Sequence, residues 1–140
     1  MFKSIYDFSS NIESAFEIGE KILLNKNYNS INRVVIAGMG GSAIGGDVVR
    51  LLVSSINNIP ITVSRNYNLP SWVDENSLVI CSSYSGNTEE TLSSFNDAIN
   101  KNSKIISIST GGFLKDLTNK NNLDFIKIPA GLQPRAALAF

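Results

Sequence analysis

The chain has no histidine and a single cysteine, Cys81. The first absence removes the commonest general base and the commonest metal ligand. Taken together, the two leave no donor set for a zinc site, and no cofactor is expected. One cysteine cannot form an internal disulfide. Its place in the apolar run Leu78-Val79-Ile80-Cys81 makes it a small core residue. Excess charge is also missing: twelve basic and twelve acidic residues cancel, so nothing attracts nucleic acid or an anionic membrane. No apolar run approaches the roughly 20 residues of a membrane span. The opening Met1-Phe2-Lys3-Ser4-Ile5-Tyr6-Asp7 carries an early acid and no apolar segment, unlike a signal peptide. These absences point to the cytoplasm.

What is present suits one globular domain. The 140 residues can bury a core, and 43% are hydrophobic against 17% charged. Apolar residues from Ile12 to Leu23 recur at helical spacing after a capping-box pattern, Ser10 to Glu13, so a helix is expected over residues 11–24. Asn25, Asn27, Asn29 and Asn32 then form a polar loop with no assigned role. Strands are expected at 33–37, 60–64, 78–82, 104–109 and 124–128, with helices after the first and third and a short one over 114–119. These strands are continuous apolar runs, and they alternate with helices. That pattern indicates α/β class: a doubly wound, five-stranded parallel sheet with helices on both faces, a Rossmann-like or flavodoxin-like three-layer sandwich. In such folds ligands bind beyond the carboxyl ends of the strands.

Two turns fall at that edge. The first is Ser83-Tyr84-Ser85-Gly86-Asn87-Thr88, between the third strand and the helix that opens at Glu89-Glu90-Thr91. Amides at a helix N-terminus lack intrahelical partners and the macrodipole there is positive. Ser83, Ser85 and Thr88 add hydroxyl donors, and Gly86 admits a ligand close to the backbone. The turn could hold a phosphate without lysine. Hydroxyl residues also cap helices for purely structural reasons. Three of them around a glycine favour an anion site. Glu89 and Glu90 suit the first turn of a helix through the dipole; Trp72 and Tyr84 read as packing residues, with a place at the border of the ligand open to Tyr84.

The second turn is Gly38-Met39-Gly40-Gly41-Ser42-Ala43-Ile44-Gly45-Gly46-Asp47. Gly38, Gly40 and Ala43 match the dinucleotide fingerprint G-x-G-x-x-A, and Arg65 ends the next strand where an NADP 2′-phosphate could be met. A P-loop is excluded, because Gly45 is followed by Gly46-Asp47 and not by Lys-Ser/Thr. Glycines also let strand, turn and helix pack closely, and Asp47 can fix the loop. With two anion-binding turns at one edge, a shared site for a small phosphorylated ligand is preferred over a dinucleotide.

These two blocks, with Pro129-Ala130-Gly131-Leu132-Gln133-Pro134-Arg135-Ala136-Ala137, closely resemble the bifunctional phosphoglucose/phosphomannose isomerases of the sugar isomerase (SIS) superfamily. The hydroxyl turn alone indicates only the superfamily, which includes regulators. The resemblance implies that residues 1–140 are one SIS domain, the N-terminal half of a longer two-domain enzyme that works as a homodimer. It implies that Ser83, Ser85 and Thr88 hold the phosphate of a hexose 6-phosphate. Gly41 and Ser42 would line the sugar, and Arg135 would lie by the reacting carbons. The family's catalytic glutamate, and the histidine and lysine that assist ring opening, belong to its second domain and match no position here. Pro134 would sit in the first turn of a further helix.

Overall fold

A computed structural model of the chain describes residues 6–132, 137, 138 and 140. The order is α1 (Phe8–Lys21), β1 (Arg33–Ala37), α2 (Gly40–Val53), β2 (Ile61–Ser64), β3 (Ser77–Ser82), α3 (Glu89–Asn100), β4 (Lys104–Ser109), α4 (Gly112–Lys120) and β5 (Asp124–Lys127). Five strands form one sheet in the order β2-β1-β3-β4-β5, and every neighbouring pair is parallel. Each strand lies within one residue of its expected bounds.

Side-chain alternation assigns the faces. Val35 and Ala37 of β1, Val79 and Cys81 of β3 and Ile105 of β4 form one buried cluster with Phe95 and Ala98 of α3 and Leu114 of α4. Ile36, of the opposite parity, meets Gly46 of α2. Ile108 and Ile126 share a small cavity with Ile18 and Ile22, at the end of α1. So α3 and α4 cover one face, and α1 and α2 the other. The first face is densely filled, with Phe95 wholly buried. The second is thinly covered. Leu78, Ile80 and Ser82 of β3 are only half-buried, and α2 exposes Ile44, Val48, Leu51 and Leu52 along one stripe. Ile36 and Ile106 are nonetheless buried on that face, so the expected cover on both faces holds, unevenly.

The first helix departs from expectation. It begins at Phe8 and ends at Lys21, one turn early at each end. Ser10 is inside it, where its hydroxyl donates to the Asp7 carbonyl at 2.9 Å, so no capping box forms. Ile22 turns the chain to extended geometry, and the Asn-rich loop follows. That loop is anchored. The buried Asp124 carboxylate accepts from the Asn25 and Lys26 amides at 3.0 and 3.1 Å, from the Asn25 side chain at 3.2 Å and from the Tyr28 hydroxyl at 2.7 Å. Burial would raise the Asp124 pKa, but these four donors outweigh it and hold it below the ordinary value. Burial and the same carboxylate push the Tyr28 phenol upward.

Candidate phosphate-binding site at the carboxyl edge of the sheet

The chain runs from β1 outward to β2, then returns to place β3 on the other side of β1. Adjacent parallel strands thus send their following loops apart, which is the switch point where α/β sheets bind ligands. Ala37 pairs with Cys81, so Gly38 and the turn after Ser82 leave the sheet side by side. A β-carbon on Gly38 would lie 2.8 Å from the Ser82 carbonyl oxygen, so the close approach requires glycine there. The two turns singled out in the sequence are neighbours at one edge.

The hydroxyl turn uses its side chains unequally. Ser83 is buried; its Oγ lies 2.8 Å from Thr88 Oγ1 and accepts from the Gly86 amide at 3.1 Å. Ser85 is exposed, and its Oγ accepts from the Asn87 amide at 3.2 Å. Thr88 is the N-cap residue of α3, yet no side-chain capping bond forms, because its hydroxyl faces Ser83. The hydroxyls therefore brace the turn and leave the first amides of α3 without a side-chain acceptor. A plain capping role would have made the opposite arrangement. The result is a positive helix terminus beside three hydroxyls, with no cation in the turn. Glu89 and Glu90 stand in that first turn. The Glu90 charge, with burial and Glu89, raises the exposed Tyr67 phenol above its ordinary value.

The glycine loop enters α2 through Met39, in extended geometry, and Gly40 at φ +52°. Gly41 and Ser42 fall in the first turn of α2, half-buried, where helix amides have no intrahelical partner. Gly46 serves packing: a β-carbon there would lie 2.9 Å from Ile36 Cγ2. Arg65, the candidate for a nucleotide 2′-phosphate, is ion-paired with Asp47 of α2, and Arg50 stands 3.8 Å from the same carboxylate. Asp47 thus ties the helix after the glycine loop to the end of β2. Arg135 lies outside the described residues, as do Gln133, Pro134 and Ala136.

Sequence reasoning missed the support beneath the hydroxyl turn. The Gly111-Gly112 turn after β4 interlocks with it. Leu114 donates to the Gly86 carbonyl at 2.9 Å, Thr110 to the Tyr84 carbonyl at 3.1 Å, and Phe113 to Asn87 Oδ1 at 3.0 Å. Asn87 so caps α4 from the neighbouring turn. Tyr84 does more than pack: its phenolic oxygen accepts from the Leu132 amide at 2.8 Å. The motif signals were glycines and an asparagine with no partner visible in sequence. At the opposite, amino edge lies a cavity of about 340 Å³ lined by Asn32, Arg33, Pro60, Thr62 and Trp72. Its cation is already engaged, with Arg33 over the Trp72 ring at 5.7 Å and donating to the Trp72 carbonyl at 3.0 Å.

A parallel α/β sheet with a glycine turn and a hydroxyl turn side by side at its switch point defines the doubly wound class of domain. Within it, the chain belongs to the SIS domain family, whose model matches residues 27–123. It is 53% identical over its whole length to a bifunctional phosphoglucose/phosphomannose isomerase of Caldicellulosiruptor bescii. A namesake from Thermoplasma acidophilum is 44% identical over 111 residues, 79% of this chain and 34% of that one. The chain spans 41% of the length of the Caldicellulosiruptor relative. In fold it is similar to the C-terminal domain of glucosamine-fructose-6-phosphate aminotransferase from Francisella tularensis. That likeness has a TM-score of 0.75 at 18% identity and covers 99% of this chain and 45% of the other.

Proposed function

We propose that this chain is the phosphate-gripping domain of an aldose–ketose isomerase interconverting glucose 6-phosphate or mannose 6-phosphate with fructose 6-phosphate. The carrying observation is the uncapped α3 terminus, flanked by Ser83, Ser85 and Thr88 and adjoining the glycine loop. The names of the relatives supply the substrate class. In this reading Ser85, Thr88 and the α3 amides take the phosphate, and Ser83 holds Thr88 in place. The first-turn amides of α2, with Gly41 and Ser42, face the sugar. Binding the phosphate remote from the reacting carbons supplies energy for positioning C1 and C2. A carboxylate base would move the proton between them, and Arg135 would stabilise the enediolate oxygen.

The base and the ring-opening groups belong, in this proposal, to a second SIS domain within the remaining length of the relatives. A homodimer in the cytoplasm completes the reading. The apolar stripe of Ile44, Val48, Leu51 and Leu52 supports a covered α2 face. Sedimentation velocity tests association: a monomer at all concentrations contradicts the dimer. Thermal denaturation with added ligand tests the substrate class. Fructose 6-phosphate should raise the midpoint, by about 2.7 kcal/mol of stabilisation at a hundred times Kd. Stabilisation by NADPH and by no hexose phosphate would overturn the proposal.

A further inference from the structure

Tyr84 lies in the hydroxyl turn between Ser83 and Ser85, yet its carbonyl and its phenol both reach other elements. Its carbonyl accepts from Thr110, after β4, at 3.1 Å. Its phenolic oxygen accepts from the amide of Leu132, after β5, at 2.8 Å. β5 is the edge strand, separated from β3 by β4. Ile128, just past β5, is itself bonded to the Ser109 carbonyl at 3.0 Å. From there the exit segment, residues 129–132, exposes Pro129, Ala130 and Gly131, the last at φ +98°. Among the bonds described, only the Tyr84 phenol holds the far end of this segment to the turns at the carboxyl edge.

We infer that Tyr84 is a positioning residue: it latches the β5 exit segment beside the phosphate turn, so that this segment forms a wall for the sugar portion of the ligand. The inference rests on the proposed phosphosugar site. Its physical content is selective. Losing the phenolic oxygen removes one hydrogen bond from the segment and leaves Ser83, Ser85, Thr88 and the α3 amides untouched. Affinity for inorganic phosphate should then persist while affinity for the sugar ester falls. One net hydrogen bond is worth about 1 kcal/mol, which is about five-fold in affinity.

The test compares the full chain with Tyr84→Phe, titrated with inorganic phosphate and with fructose 6-phosphate. Amide hydrogen exchange is followed at Leu132 in both proteins. We expect phosphate affinity within about two-fold, fructose 6-phosphate weakened about five-fold, and faster exchange at Leu132 in the variant. Equal weakening of both ligands, or no change in either, overturns the latch. Unaltered exchange at Leu132 overturns it as well, whatever the affinities. Failure of the parent chain to bind either ligand overturns the phosphosugar reading itself, and the latch with it.

Discussion

Replacing Gly86 by alanine should unfold the centre of the site. Gly86 is buried at φ +72°, and an added β-carbon would lie 1.8 Å from the Gly111 carbonyl oxygen and 2.7 Å from Ser109 Oγ. Ordinary contact begins near 3.4 Å, so Gly111 must retreat by about 1.6 Å. It cannot do so freely, because its carbonyl accepts from Ser109 Oγ at 2.8 Å and its amide donates to the same oxygen at 3.1 Å. The left-handed backbone costs a non-glycine residue about 1–2 kcal/mol, and overpacking about 1–3 kcal/mol. The sum, about 2–5 kcal/mol, is a large share of the roughly 5–15 kcal/mol that stabilises a domain. Gly40→Ala is the control. Its φ is +52°, but a β-carbon there meets nothing within 4 Å, so only the backbone cost of about 1–2 kcal/mol applies. Urea unfolding reads both variants as a fall in midpoint at unchanged slope. Should Gly86→Ala lose no more stability than Gly40→Ala, the interlock between the two turns is not rigid and its role in presenting the hydroxyls fails.

Other outcomes follow from single sites. Gly45→Ala, inside α2 with open space around it, should stabilise the chain by up to about 1 kcal/mol in the same urea assay. Asp124 has a folded pKa below its ordinary 3.8, so its contribution is full above that value and is lost as the pH falls through the folded pKa. Asp124→Asn should therefore cost about 1–3 kcal/mol at pH 7, and the difference should shrink as the pH falls through the folded pKa below 3.8, measured by thermal unfolding. Cys81, buried with its thiol pushed up to about 12, should resist a thiol reagent until the protein unfolds; rapid modification of native protein would contradict its place in the core.

Much of this fold was legible because strand burial is local in sequence. The runs at Val34-Val35-Ile36 and Ile105-Ile106 are apolar on both parities, which fits only a strand covered from two sides. Element order placed both turns at the carboxyl edge as neighbours, whereas the strand order that makes the gap between β1 and β3 the switch point emerged only in the structure. What was hidden depends on partners distant in sequence. Asp124 reads as a strand residue, and its four donors come from Asn25, Lys26 and Tyr28 about a hundred positions away. The Asn-rich loop consequently read as featureless. The first helix was misplaced because Ser10 and Glu13 satisfy a capping pattern that the chain, already helical from Phe8, does not use. Thr88 gave the subtler lesson. Its identity suits a cap, and only its 2.8 Å contact with Ser83 shows that its hydroxyl is turned away from that task.

The measurement that bears most directly on the account is calorimetric titration of inorganic phosphate into the parent chain and a Ser85→Ala, Thr88→Ala double variant, with both folds checked by urea unfolding. Hydrogen bonds to a charged ligand are worth about 1.5–3 kcal/mol each, so the double variant should bind at least about ten-fold more weakly while remaining folded. Equal affinity in the two proteins would mean that these hydroxyls only shape the turn, and that the edge between β1 and β3 is not where an anion is held.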